Sequence, residues 1–168
     1  MTSPDDPLAD RLGGARSKPL VLILCTGNSC RSQMAEGFLR RFHGHRFAVR
    51  SAGTKPADAV HPLAVRVMAE AGVGIHDALP TRLGEYLGRL PVRHLLIVCD
   101  HASETCPRIW PGAVTRHVLP FDDPAAVEGT EDQKLAVFRR VRDEIETAMT
   151  AYDPKQTEGD LVAAEATR

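Results

Sequence analysis

LVLILCTGNSCRSQMAEG, running from Leu20 to Gly37, changes its pattern twice in eighteen residues, and those two changes decide the fold. Leu20–Leu24 is an unbroken run of large aliphatic side chains, the signature of a strand buried on both faces. From Ser32 the period becomes helical: Met34, Ala35, Phe38, Leu39 and Phe42 fall on one stripe that Gly44 ends. Between the two lies a loop of small and polar residues. The same alternation repeats down the chain. Phe47–Arg50 reads as a short strand, Leu63–Ala71 as an amphipathic helix stopped by Gly72, and Pro80–Leu87 as a weaker helix. Leu95–Cys99 and Val114–Leu119 read as further strands. Glu131–Tyr152 carries Leu135, Val137, Phe138, Val141, Ile145, Ala148 and Met149 at near-helical spacing and makes the last helix. Repeated strand–helix alternation predicts an α/β domain, a parallel sheet with helices on both faces. Ligands bind such sheets beyond the carboxyl ends of the strands.

The remaining composition narrows the class. A chain of 168 residues with a formal net charge of −1 fits one domain and offers no general attraction to nucleic acid or acidic membranes. An anion must therefore be captured by a local site. Leu20–Cys25 is the longest apolar run and far too short to span a bilayer. Met1–Asp10 is acidic and Pro-rich rather than signal-like, so a cytoplasmic location and a monomer are expected. Met1–Lys18 reads as a flexible leader, residues 19–153 as the domain, and 154–168 as a polar tail. No internal repeat is visible. The four cysteines do not match zinc-ribbon spacing, and in a reducing compartment they point to thiol chemistry rather than structural disulfides.

Cys25-Thr26-Gly27-Asn28-Ser29-Cys30-Arg31-Ser32 sits where a strand ends and a helix begins. The five residues between Cys25 and Arg31 suffice to turn their backbone N–H groups inward on one oxyanion, with the helix dipole behind them. Gly27 and Asn28 tolerate the positive φ that such a cup demands. Arg31 supplies a planar fork for two anion oxygens. Cys25 faces this positive environment, so a lowered thiol pKa and a nucleophilic thiolate are expected, with Ser32 donating to the sulfur. The plainer reading makes Cys25 a small buried residue closing a strand.

Two more segments carry chemistry. Cys99 ends a strand and so opens on the same sheet edge as Cys25, while Cys106 follows in polar surroundings. A helix between them would hold the two Cα atoms about 10 Å apart, and a disulfide needs roughly 7 Å or less. Their oxidation would therefore have to buckle the segment; the alternative is two packed thiols. Asp122-Asp123-Pro124 is a turn signal by itself. Near a thiolate and an oxyanion, however, one of its carboxyls would be raised in pKa and suited to general acid work.

Taken together, Cys25 to Gly37, Ser51-Ala52-Gly53, the Cys99/Cys106 segment, Phe121-Asp122-Asp123-Pro124 and Phe138 to Ile145 resemble the thioredoxin-coupled arsenate reductases, which share the low-molecular-weight tyrosine phosphatase fold. The resemblance covers roughly Pro19 to Tyr152, with Ser32-Gln33 where the phosphatases usually carry Ser-Pro. It implies a four-stranded parallel sheet with the active loop at its carboxyl edge. It implies, too, that residues 26–32 bind the oxyanion, that Asp123 is the acid, and that Asp122 is a helper or turn residue. In the implied relay Cys99 attacks a Cys25–arsenic adduct, Cys106 then attacks Cys99, and thioredoxin reduces the resulting disulfide. Cys30 is structural in this scheme. The family often binds potassium beside the loop through residues matching Asn28, Glu36 and Ser51; its remaining ligand, an Asp, aligns with Thr81. Glu36 has the alternative of being a solvated helix residue. The seven histidines and Trp110 are expected at the surface or in packing. Arsenate reduction is thus the leading expectation. A low-molecular-weight tyrosine phosphatase is the alternative, although Ala125-Ala126-Val127 stands where those enzymes carry aromatics. An oxyanion-binding redox sensor without turnover is the third reading.

Overall fold

The computed structural model describes residues 18–99 and 115–155. The expectations that concern Cys106, Trp110, most of the leader and most of the tail lie outside the described residues. Four strands, β1 (Leu20–Cys25), β2 (Ala48–Gly53), β3 (Val92–Ile97) and β4 (Thr115–Val118), form one sheet in the order β2-β1-β3-β4, and every pairing is parallel. All six residues of β1 are buried. Successive side chains of a strand point to opposite faces, so both faces of the central strand are covered.

Three helices pack on this sheet: α1 (Arg31–His43), α2 (Pro62–Glu70) and α3 (Glu131–Thr150). The α1 stripe Met34, Ala35, Phe38 and Leu39 is buried; the helix rests on β1 and β2 and against α3, which also contacts α2. A capping box starts α3: Thr130 Oγ1 accepts from the Gln133 N–H, and the Gln133 side chain accepts from the Thr130 N–H.

Some elements depart from their expected places, and the second strand runs on to Gly53 instead of ending at Arg50. The third strand ends at Ile97, so Cys99 lies two residues past the ladder, although Val98 still donates to the Leu24 carbonyl at 3.0 Å. The helix expected over Pro80–Leu87 is absent; that stretch holds only a 310 turn, Leu83–Glu85. Its physical cause is tertiary. Thr81 and Arg82 are drawn alongside the end of β2, where the Gly53 N–H donates to the Thr81 carbonyl at 2.8 Å and Gly53 bridges to Arg82. Gly84 and Gly88, the latter at φ 71°, then deprive the remainder of helical propensity.

The strand order fixes where a ligand goes. The chain leaves β1 toward β2 on one side and returns to place β3 on the other, so the crossover directions diverge at the carboxyl ends of β1 and β3. A crevice opens at such a switch point. Cys25 is the last residue of β1, and Cys99 follows β3.

Candidate active site

Residues 25–31 form the loop in that crevice, and its construction is visible in the carbonyl groups. Thr54 N–H donates to the Cys25 carbonyl at 3.3 Å, Lys55 to Thr26 at 2.9 Å, Ala57 to Gly27 at 2.8 Å and His61 to Ser29 at 2.9 Å. The Asn28 carbonyl accepts from Gln33 Nε2 at 3.1 Å. Consecutive carbonyls are thus held outward by the segment after β2 and, at Asn28, by Gln33, so that the loop's amides can turn toward an anion. Asn28 takes the left-handed conformation, φ 49°. Its N–H donates to Cys25 Sγ at 3.0 Å.

Beneath the loop the Asn28 side chain is fully used. Nδ2 donates to Ser32 Oγ at 2.8 Å and to Ser51 Oγ at 2.9 Å, while Oδ1 accepts from Thr81 N–H at 2.8 Å and Gln33 Nε2 at 3.2 Å. Because Ser32 Oγ receives a proton from Asn28, its own proton is left for Cys25 Sγ, 2.8 Å away. Ser51 in turn donates to the Glu36 carboxylate, which Arg40 also binds. The network runs without a break from Arg40 to the Cys25 sulfur.

Burial pushes the Cys25 thiol above its ordinary value, and the neighbouring Cys99 sulfur adds to the rise, while Ser32 and the Asn28 amide pull it down. The expected lowering therefore does not hold in this loop. Loop hydrogen bonds were counted in that expectation, but not the loss of water around a side chain in a residue only 3 % exposed. Burial also raises Cys30, to about 12, which keeps it a neutral packing thiol.

Arg31 reaches out of the loop to the turn that carries Asp122 and Asp123. One terminal nitrogen donates to the Phe121 carbonyl at 3.1 Å, and the other pairs with Asp123 Oδ2 at 3.3 Å. Asp123 Oδ1 accepts from the Ala125 N–H and caps a 310 turn over Pro124–Ala126. Asp122 points elsewhere and pairs with Arg140 of α3. The structure thus separates two carboxylates that the sequence leaves adjacent. Cys99 is wholly buried, with its sulfur 3.7 Å from Thr26 Oγ1 of the loop. Cys25, Cys30 and Cys99 are free thiols.

Several residues of this site take parts that the sequence does not announce. Gln33 ties the loop to the Leu79 carbonyl as well as to Asn28. His61 holds the Ser29 carbonyl, caps α2 by accepting from Leu63 N–H, and lies on the Phe138 ring with centroids 4.8 Å apart. An N-cap before Pro62 is the one local hint for His61. Residues 54–57 act through their backbone alone, which side-chain chemistry cannot announce. No group of three or more His, Cys, Asp or Glu residues placed to hold a metal ion occurs among the described residues. Nor is any described helix long and apolar enough to cross a membrane.

Comparison with known proteins agrees with this geometry. An arsenate reductase of Halalkalibacterium halodurans is 45% identical over 130 residues, 77% of this chain and 91% of that protein. A solved arsenate reductase in its phosphate-binding state superimposes with a TM-score of 0.58 at 27% identity, covering 87% of this chain and 98% of that one. The thioredoxin-dependent arsenate reductase of Corynebacterium glutamicum matches with a TM-score of 0.53 at 27% identity, over 80% of this chain and 63% of that one. The family model described as low molecular weight phosphotyrosine protein phosphatase matches residues 20–160. With that match spanning the loop, the sheet and the acid turn, and with arsenate reductases among its relatives, the chain belongs to the low molecular weight phosphotyrosine protein phosphatase family.

Proposed function

We propose that this chain reduces arsenate to arsenite, with Cys25 as nucleophile and Cys99 and Cys106 as the relay that carries the oxidation away. The observation that supports it most directly is the buried Cys99 thiol beside Thr26, at the rim of the oxyanion loop. A phosphatase needs the loop and the acid but has no use for a second thiol there.

Arsenate enters the cup of loop amides and draws on Arg31, whose guanidinium has N–H groups beyond the two that bind the acid turn. The Cys25 thiolate attacks arsenic, one As–O bond breaks, and Asp123 gives its proton to the departing oxygen. Arsenic remains As(V) in this adduct. Cys99 then attacks the Cys25 sulfur as a thiolate. The S–As bond breaks with its electron pair left on arsenic, releasing As(III) as arsenite and forming the Cys25–Cys99 disulfide. Cys106 attacks Cys99 in turn, Cys25 leaves as thiolate, and a dithiol reduces the resulting Cys99–Cys106 disulfide. Thioredoxin is the proposed dithiol, on the likeness to a thioredoxin-dependent relative.

A coupled assay tests this reading: NADPH oxidation in the presence of thioredoxin, its reductase and arsenate. The wild type sustains turnover, whereas Cys106→Ser completes at most one turnover per molecule. Equal steady rates in the two proteins would overturn the relay. A phosphatase would instead hydrolyse aryl phosphates strongly and ignore the loss of Cys99. The short Ala125 and Ala126 side chains after Pro124 weigh against that alternative, since they offer no aromatic wall to a phenyl ring.

A further inference from the structure

The hydrogen-bond chain beneath the loop ends in a charge that the expected potassium ion would otherwise supply. Of the residues matching the family's potassium ligands, Asn28 has its Oδ1 filled by two N–H donors, from Thr81 and Gln33. A cation at that oxygen would have those donors aimed at it. At the position expected to offer a carboxylate, Thr81 presents a backbone N–H instead. Glu36, the anion that the ion would neutralise, receives the Ser51 hydroxyl on one oxygen and the Arg40 guanidinium on the other. Arg40 sits one helical turn after Glu36, where side chains of α1 meet. It is also held from the β2 side, 3.4 Å from the Val49 carbonyl. Arg50 adds positive charge from β2, and Tyr86 faces Glu36 from the turn after Leu83.

We infer that Arg40 is a built-in replacement for a monovalent cation beneath the active loop. Its guanidinium neutralises Glu36, and so acts through Ser51, Asn28 and Ser32 on the setting of the Cys25 sulfur. The direction of the chain fits this charge, and Arg40 is the largest influence opposing the rise that burial imposes on the Glu36 carboxyl. Ser51 gives its proton to an ionised Glu36 and so stays an acceptor for Asn28; Asn28 then donates to Ser32, whose proton goes to Cys25. A carboxylate as enclosed as Glu36, its side chain 15 % exposed, would be costly without a counter-charge. A proton on the oxygen that faces Ser51 would reverse Ser51, and Asn28 could follow only by turning its Nδ2 toward two N–H donors. Arg40 is a positioning residue in this account. It touches neither the oxyanion nor the sulfur, and the inference holds whichever oxyanion the loop turns over.

A cleft of about 450 Å3, lined by Gln33, Glu36, Arg40, Gly74 and Asp77 among others, opens beside the pair. With the Arg40 side chain shortened, that cleft would give a hydrated ion a route to Glu36. Thermal melting and binding of inorganic phosphate, each measured in potassium chloride and in choline chloride at matched ionic strength, test the inference. The wild type is expected to give the same values in both salts. Arg40→Ala should melt about 2–4 °C lower in choline chloride, bind phosphate more weakly there, and recover in potassium chloride. Arg40→Gln, which keeps more of the packing, should show the same salt response, and Arg40→Lys should behave as wild type. A wild type that potassium stabilises over choline would overturn the inference. So would neutral variants that show no difference between the salts.

Discussion

Two neighbouring carboxylates, Asp122 and Asp123, show how much a single residue's direction decides. They carry the same charge and adjoin the same proline, yet Asp123 pairs with the loop arginine while Asp122 pairs with Arg140 on α3. Only the first stands beside the loop, where the proposed reaction needs a proton for the departing oxygen. Asp123→Asn should therefore lower arsenate turnover by about 10²- to 10⁴-fold, the usual range for losing a general acid, while leaving phosphate binding largely intact. Asp122→Asn should stay within about twofold of wild type, because the ion pair it loses is exposed. Steady-state rates and phosphate affinities of the two variants make the comparison. Equal losses would return the acid's identity to an open question.

Between elements, the decisive contact is the approach of the loop to the end of β2. A side chain at Gly53 would place its Cβ 2.5 Å from the Thr26 carbonyl oxygen and 3.1 Å from the Asn28 backbone nitrogen. Backbone cannot yield as a flexible side chain does, so Gly53→Ala must push the loop away from the N–H groups that hold its carbonyls. Overpacking of this kind costs about 1–3 kcal/mol. A lower urea midpoint should accompany weaker phosphate binding; a lower midpoint with unchanged phosphate affinity would show that the loop does not rest on β2. The same contact explains what was legible in the sequence. Ser51-Ala52-Gly53 could be noticed as a motif, and β1, α1, α2 and α3 followed from hydrophobic period because each buries one stripe or a whole strand. The strip 54–61 could not be seen, since its backbone N–H groups do the holding. The false helix over Pro80–Leu87 arose similarly: its period was adequate, but pairing with Gly53 was a long-range demand that local pattern does not contain. For the site, Cys25, Arg31 and Ser32 were readable because residue type and spacing name their chemistry. Gln33 and His61 were not, as their work is to hold carbonyls and cap a helix.

At the scale of the whole molecule, a parallel sheet whose centre is dry sets the terms for every ionisable group enclosed with it. Burial raises the Cys30 thiol from 9.0 to about 12, and raises Cys25 and Tyr152 as well. Tyr152 closes the assembly beyond α3, edge-on to His43, Phe47 and His117. All three groups are neutral when protonated, so the folded chain keeps protons that the unfolded chain releases in alkali. The sign follows: this part of the stability is complete below the unfolded thiol value and is lost as pH climbs toward the folded one. For Cys30 the window runs from 9.0 to about 12, and within it the loss approaches about 1.4 kcal/mol per pH unit for that one group. Urea midpoints measured from about pH 7 to about pH 11 should be flat at first and then fall, most steeply above the ordinary thiol range. Cys30→Ala removes one of the retained protons. Its midpoint at neutral pH is expected to be somewhat lower, because a buried sulfur is lost, but its alkaline decline should be shallower than that of the wild type. The slope, rather than the absolute midpoint, isolates the thiol from the cavity. Identical slopes would mean that Cys30 ionises as readily in the fold as outside it, and that water reaches the floor of the loop.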